Sequence, residues 1–306
     1  MSNLVRFRRA FLPLFIVAIV VIAGGYGCSK PKSTPRKEER GHLLLGQVIS
    51  IYEERSTLLV KHEANEGYMA AMTMELSVSR GDLGAVSEGM FIRARLVELE
   101  EGGFGLENIW LDDSEAYRII NKVNGELHKD TASRGQKVYR GIGEAIPNFA
   151  LYNQDNEVVQ PSQFLGKPMV VNFIYTRCPD ATMCPASMVK MIQIQREASE
   201  LNISDLELIS ITLDPEYDTP GVLHEYAVAR GIDTTNFSFL TGPEYAISDL
   251  MKQLGLLSFP EEEFFRHSLS TLLISREGKI VYREEGSKWK PENFVKKLKE
   301  DSLEVE

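Results

Sequence analysis

The chain has 306 residues, 43% of them hydrophobic and 25% charged, and carries a net charge of −10. That length suits about two folded domains, and the balance excludes a chain that is disordered throughout. The acidic surplus, larger still once Arg6, Arg8 and Arg9 are set aside, argues against nucleic acid or an anionic membrane surface as a partner.

In chain order, Arg6, Arg8 and Arg9 precede an uncharged, largely apolar run over 10–27 that closes with small residues before Cys28. A basic segment, an apolar segment and small residues before a cysteine make an export signal. The pattern resembles a bacterial lipoprotein signal, which implies Cys28 as the lipidated first residue of the mature chain. Gly25 stands where such signals usually carry leucine, so an uncleaved anchor is the alternative. Eighteen residues give about 27 Å of helix, near the ~30 Å hydrocarbon core. Either way residues 1–28 are expected to hold the protein on the periplasmic face of a bacterial membrane. Residues 29–41, rich in Pro, Lys and Ser, are expected to be a solvated tether.

From 42 to 113 the texture is β. Residues 43–51, 58–61 and 90–99 read as short strands, with polar or glycine-rich turns at 53–56 and 100–103. About seventy residues of this kind suggest a small barrel. Within it lie His62 and, on a predicted strand, Met72 and Met74, whose side chains share a face because strand side chains alternate. Thioethers with an imidazole suit Cu(I) or Ag(I) rather than Zn or Mg, although an arbitrary Met-x-Met is more often core filling. The spacing of Ala116, Ile119, Ile120, Val123 and Leu127 predicts a helix over 113–134, capped by Asp113 or Ser114 and ended by Gly135. It is the expected connector (114–142) to a second domain over 143–306.

That domain reads as alternating strands and helices. A hairpin is expected around 153–156, buried strands over 169–175 and 206–213, and helices over 185–200, 221–229 and 245–254. A strand over 237–240, a closing hairpin over 269–275 and 279–283, and a helix over 291–299 complete it. This order suits a mixed sheet in a three-layer α/β/α sandwich. Asp214-Pro215 ends the second buried strand, placing the Asp214 carboxylate in a loop at the edge where α/β sheets bind ligands, or making it a simple turn cap. No internal repeat is evident.

Cys178 and Cys184 flank a loop between the first buried strand and the helix opened by Pro185. Five residues separate them, a spacing that serves a structural disulfide, a redox dithiol or a soft-metal site. Cys184, near a helix N-terminus, is expected to have a lowered pKa. His267 stands just before the 269–275 strand. Two thiolates and one imidazole suit Cu(I), or Cu(II) with one more donor.

Phe173-Ile174-Tyr175-Thr176-Arg177-Cys178-Pro179, Cys184-Pro185, Asp214-Pro215-Glu216-Tyr217-Asp218-Thr219-Pro220, His267-Ser268 and Gly286 to Trp289 together resemble the Sco/SenC family of thioredoxin-like copper proteins. The resemblance implies Cys178, Cys184 and His267 as copper ligands with Asp214 beside them, and a cytochrome c oxidase copper-site subunit as partner. The family usually places three residues between its cysteines, so the wider spacing here keeps the redox reading open. His62 followed by Met72-Thr73-Met74 resembles the CusF-like copper-binding domain, an OB-type β-barrel. That implies His62, Met72 and Met74 as ligands, with Met69, beside Tyr68, where the family's capping tryptophan falls. The fold expected is thus a thioredoxin-like α/β domain preceded by a small OB-type barrel. The function expected is a membrane-anchored copper chaperone for a respiratory oxidase, more a metal carrier than an enzyme. A thiol-disulfide oxidoreductase reducing the oxidase copper-site cysteines is the alternative. Thioredoxin's Cys-x-x-Cys and cis-proline are absent, with Ser270 in the proline's place, and the peroxiredoxin Thr-x-x-Cys is absent too.

Overall fold

The structure, a computed structural model, describes residues 41–303 apart from 66, 136–137, 204, 257, 261–264 and 268. The side chains of 258–260, 265–267 and 301–303 lie outside the described set. The expected signal or anchor, Cys28 and nearly all of the tether lie outside the described residues.

β1 (His42–Tyr52) alternates as far as Val48, past which its register with β2 shifts, and β2 (Thr57–His62) alternates throughout, burying Leu44 and Val48 on one and Leu58, Val60 and His62 on the other. They are joined through a 3-10 turn, Glu53–Arg55, with Ser56 in the left-handed region (φ 52). β3 (Met72–Ser77) runs into α1 (Arg80–Gly84), whose N-terminus is capped by the Ser79 hydroxyl accepting from the Asp82 N–H. β4 (Phe91–Glu98) and β5 (Phe104–Leu111) complete a closed barrel in the order β1-β2-β3-β5-β4. Inward residues Val48, Leu58, Val60, Leu76, Ile92 and Ile109 fill it, as alternation requires of a small barrel.

α1 and β5 were not among the expected elements. Five residues are too few for a helical period to show, and β5 breaks its own alternation. Asn108 takes a left-handed backbone (φ 54), and the β4–β5 register slips between Arg93 and Arg95, the signature of a bulge.

α2 (Ser114–Arg134) starts and ends where expected, with Asp113 accepting from the Glu115 N–H and Gly135 at φ 81. It is more than a connector. Ala116 and Ile120 pack with Ala150 and Tyr152 against Trp110 and Leu111 of β5, and Leu127 joins the core of the second body. Asn124, fully buried, bonds the Ala150 backbone in both directions.

The expected hairpin around 153–156 shrinks to two residue pairs, β6 (Leu151–Tyr152) with β7 (Val158–Val159). Next come β8 (Met169–Ile174), α3 (Cys184–Glu200), β9 (Glu207–Thr212), α4 (Pro220–Ala229), β10 (Phe237–Leu240) and α5 (Glu244–Gln253). A short backbone hairpin of β11 (Ser258–Pro260) and β12 (Phe265–His267) follows, then β13 (Ser270–Ile274), β14 (Ile280–Glu285) and α6 (Pro291–Leu303).

The main sheet has the order β10-β9-β8-β13-β14. Every residue of β8 and β13 is buried, and all but the first of β9, so both faces of the sheet are covered. α3 packs beside α6 and α2 beside α5. β8 is parallel to β9, with Ile174 opposite Thr212, and antiparallel to β13, with Asn172 opposite Thr271. The C-terminal ends of β8 and β9 and the start of β13 therefore share one sheet edge.

Barrel and sheet body belong to one compact unit. The joint is α1 against α4. A Cβ placed on Gly81 would lie 2.1 Å from the Gly221 carbonyl oxygen, and one on Gly84 would lie 2.3 Å from His224 Nε2. Only glycine permits backbones this close. The buried Asn156 amide completes the joint, donating to the Ala85 carbonyl (3.0 Å) and accepting from the Leu111 N–H (3.1 Å).

Candidate metal centre

β8 is a buried apolar run, and the loop that leaves it carries the first thiol. Cys178 is half-buried. Cys184, 1% exposed, is the first residue of α3, with Pro185 behind it in the first turn. Neither forms a disulfide, and the two thiols hydrogen-bond each other. The five intervening residues do not separate them. Asp180 makes a tight turn, its carboxylate accepting from the Thr182 N–H (2.8 Å) and hydroxyl (2.7 Å), and its carbonyl from the Met183 N–H (3.0 Å). That side-chain-to-backbone turn folds the extra length back onto the helix start.

The expectation of a lowered Cys184 pKa is overturned. Burial pushes the thiol well up, and the neighbouring Cys178 adds to this, against the Tyr175 and Cys184 N–H groups that reach the sulfur. Withdrawal from water outweighs the helix terminus here. Tyr175 also bonds Cys178, its phenol raised chiefly by burial. Burial likewise pushes the Tyr226 phenol up to about 12, with both thiols near it.

Asp214 lies at this same edge, 4% exposed, but it is engaged. Its carboxylate takes the Arg177 guanidinium at 3.1 Å (Nε) and 2.5 Å (Nη2), and that guanidinium stacks on the Tyr217 ring at 4.1 Å. Asp218, four residues on, is fully buried and holds Thr176. Thr176, Arg177, Tyr217 and Asp218 were not singled out from sequence. They lie inside the motifs that carry the family resemblance, but no sequence signal set any of them apart in a role of its own. The backbone of His267 is placed on β12, opposite Ser258 and three residues before β13, so it enters at the sheet edge that carries the thiols. Its side chain lies outside the described residues.

In the barrel, His62 sits directly opposite Met72 in the β2–β3 ladder, and Met74 lies two residues along on the same face, opposite Val60. Directly opposed side chains lie on one face about 5 Å apart at Cβ. His62 is 4% exposed. Its Nδ1 contacts the Glu63 carbonyl at 2.7 Å, and its Nε2 is buried without a partner among the described residues. A carbonyl only accepts, so Nδ1 carries the proton and Nε2 presents its lone pair. Met69 lines a cavity of about 210 Å³ together with His62, Leu44 and Leu96. Met72 is 48% exposed and Met74 packs partly against the barrel core, and neither lines this cavity. Tyr68 is not over this cavity as a free cap, because it stacks on His42 at 3.7 Å and donates to Glu98 at 2.8 Å.

A pair of contacting thiols, one half-buried and one buried, suits a soft ion or disulfide exchange, and an imidazole nitrogen without a partner among the described residues, beside thioethers, suits a soft monovalent ion. Both donor sets fit copper.

The SCO1/SenC family model matches residues 139–301, a little over half of the chain. The chain is similar to the SCO1 protein homolog of Bacillus subtilis, at 31% identity over 157 residues that cover 49% of this chain and 78% of the relative. It is also similar to a solved SCO1/SenC family lipoprotein from Bacillus anthracis, with 26% identity and a TM-score of 0.49, covering 54% of this chain and 99% of that one. ScoI of Bradyrhizobium japonicum, solved with copper bound, has 26% identity and a TM-score of 0.43, covering 52% and 99%. The thiol loop, the Asp214–Asp218 segment after β9 and the sheet that carries them all fall within the matched residues, and this chain belongs to the SCO1/SenC family.

Proposed function

We propose that this protein is an extracytoplasmic copper chaperone, held to a bacterial membrane through Cys28 or an uncleaved N-terminal anchor, that serves assembly of the copper site of a cytochrome c oxidase. The single observation that carries the reading is the contact between the Cys178 and Cys184 thiols at the end of β8. Soft donors there favour copper over the harder divalent ions. His267 is the third ligand in this proposal, brought to the same edge by β12 and β13. Asp214 acts beside the metal by anchoring Arg177 rather than by ligation.

The barrel is the second copper site in this reading, with His62, Met72 and Met74 as donors and Met69 covering the ion. Its strand order β1-β2-β3-β5-β4 supports an OB-type assignment. Thiolates bind copper more strongly than thioethers, which sets the direction of transfer from the barrel to the thiols. Binding at the thiols displaces the proton that burial holds on Cys184.

Titration of the reduced protein with Cu(I) under a competing chelator should give two bound ions. Cys178→Ser should remove one and Met72→Leu weaken or remove the other. Retention of both ions at parental affinity in either variant refutes that site.

The thiol contact also favours one second reading, a reductase that hands two electrons to a partner disulfide. Rapid reduction of insulin disulfides by copper-free protein supports that reading, and its absence supports the chaperone.

A further inference from the structure

Asp218 has no exposed surface, and its carboxylate accepts from the Thr176 N–H (3.1 Å), the Thr176 hydroxyl and the Thr212 hydroxyl (2.6 Å). The Thr212 oxygen in turn accepts from the Asp214 N–H (2.9 Å), and the Asp218 N–H donates to the Asp214 carbonyl (2.8 Å). One carboxylate thus ties together the residue that follows β8 by two positions, the last residue of β9 and the approach to α4. Thr176 stands two residues before Cys178. The next residue, Arg177, is held separately by Asp214. The chain entering the thiol loop is therefore fixed at consecutive residues by two different carboxylates, neither of which touches a thiol in the described contacts.

Burying a carboxylate without exposed surface is costly, and here the group's pKa is raised by burial in spite of its three donors. A turn of this kind could be closed by a neutral side chain at lower cost. What the carboxylate supplies is several acceptor positions in one rigid plane, enough to hold a backbone N–H and two hydroxyls at once.

We infer that Asp218 is a positioning residue for the Cys178–Cys184 pair, acting through Thr176 to hold the first thiol at the distance its partner requires. This rests on the reading of the two thiols as the working pair. It adds that the Asp180 turn inside the loop does not hold the pair alone: a clamp outside the loop fixes the chain that enters it, where five residues between the cysteines would otherwise let them part. Losing the clamp lowers the effective concentration of one thiol at the other.

The test needs no metal. In glutathione mixtures, two protein thiols and one glutathione disulfide convert to one protein disulfide and two glutathione thiols, and the equilibrium constant reads how well the pair is held. Thr176→Val removes the hydroxyl donor while keeping the shape of the side chain, and should lower that constant by about tenfold. Thr176→Ser, which keeps the hydroxyl, should restore the parental value. Far-UV circular dichroism checks that each variant folds. If Thr176→Val does not fold, Thr212→Val reads the same carboxylate from its other donor, with the same loss expected. A valine variant with the parental constant overturns the inference, and so does a serine variant as impaired as the valine one. Cu(I) titration of the parent keeps the two readings apart. If the parent binds no copper but shows the clamp-dependent constant, the copper reading falls and the role of Asp218 stands. If it binds copper and the constant ignores Thr176, the reverse holds.

Discussion

Cys184 shows how two general tendencies collide on one atom. A helix N-terminus favours a thiolate, yet the side chain is 1% exposed and burial raises its pKa. Desolvation of a nearly enclosed charge exceeds what a screened terminal dipole returns. The consequence is a difference in access between the two thiols. Under native conditions at pH 8, iodoacetamide should modify Cys178 first, with Cys184 at least about tenfold slower, and mass spectrometry after denaturing digestion reads both sites. Equal modification rates would contradict the burial of Cys184. His62 is the counterpart in the barrel, a side chain already expected as a ligand from its place ahead of Met72-Thr73-Met74. Its meaning comes from Nε2 having no partner among the described residues while Nδ1 is already committed.

At the scale of elements, the α1–α4 joint places Asp82 in a costly position. It is 7% exposed, one carboxylate oxygen has no hydrogen-bond partner among the described residues, and a Cβ on Gly221 would lie 2.2 Å from that oxygen. Burial, helped by Glu107 of β5 and Glu225 of α4, pushes its pKa up to about 6 against the Ser79 hydroxyl bond. The unfolded chain has the ordinary value near 3.8, so between about pH 4 and pH 6 the folded state binds more protons than the unfolded one. Stability from this group therefore falls as pH rises through that window and stays lower above it. Asp82→Asn should stabilise the protein at pH 7.5 by on the order of 1–3 kcal/mol, with the gain fading towards pH 4. Urea denaturation at the two pH values measures this, and a variant less stable than the parent at pH 7.5 would show that the Ser79 bond outweighs the buried charge.

On the scale of the whole molecule, contacts make the barrel and the sheet body one unit, with α2 packed against both and the glycine contact between α1 and α4 closing the joint. The expectation is one cooperative calorimetric transition for the protein. Gly221→Val, whose new side chain would collide with the Asp82 backbone 2.7 Å from its Cβ, should split that transition into two or lower its midpoint by several degrees. An unchanged single transition would mean that the joint contributes little to cohesion.

Much of this was legible in the linear chain. Strand-like runs parted by a polar turn exposed β1 and β2, alternation exposed β4, uncharged β-branched runs exposed β8, β9 and β13, and the apolar period of α2 with Asp113 and Gly135 at its ends exposed that helix. These signals are local, because side-chain periodicity and capping depend only on neighbours a few positions away. The cysteines and the methionine–histidine set were visible as donor types, since softness is a property of the atom. The rest depended on residues far apart in sequence. The broken period of β5 hid it, and the thiol contact across a five-residue gap needed the Asp180 turn and the Asp218 clamp to exist. The raised Cys184 thiol and the Asp82 carboxylate needed burial, which only the packed chain creates. Residue chemistry is written along the chain, whereas desolvation and the meeting of distant groups arise when sheet, helices and barrel exclude water together.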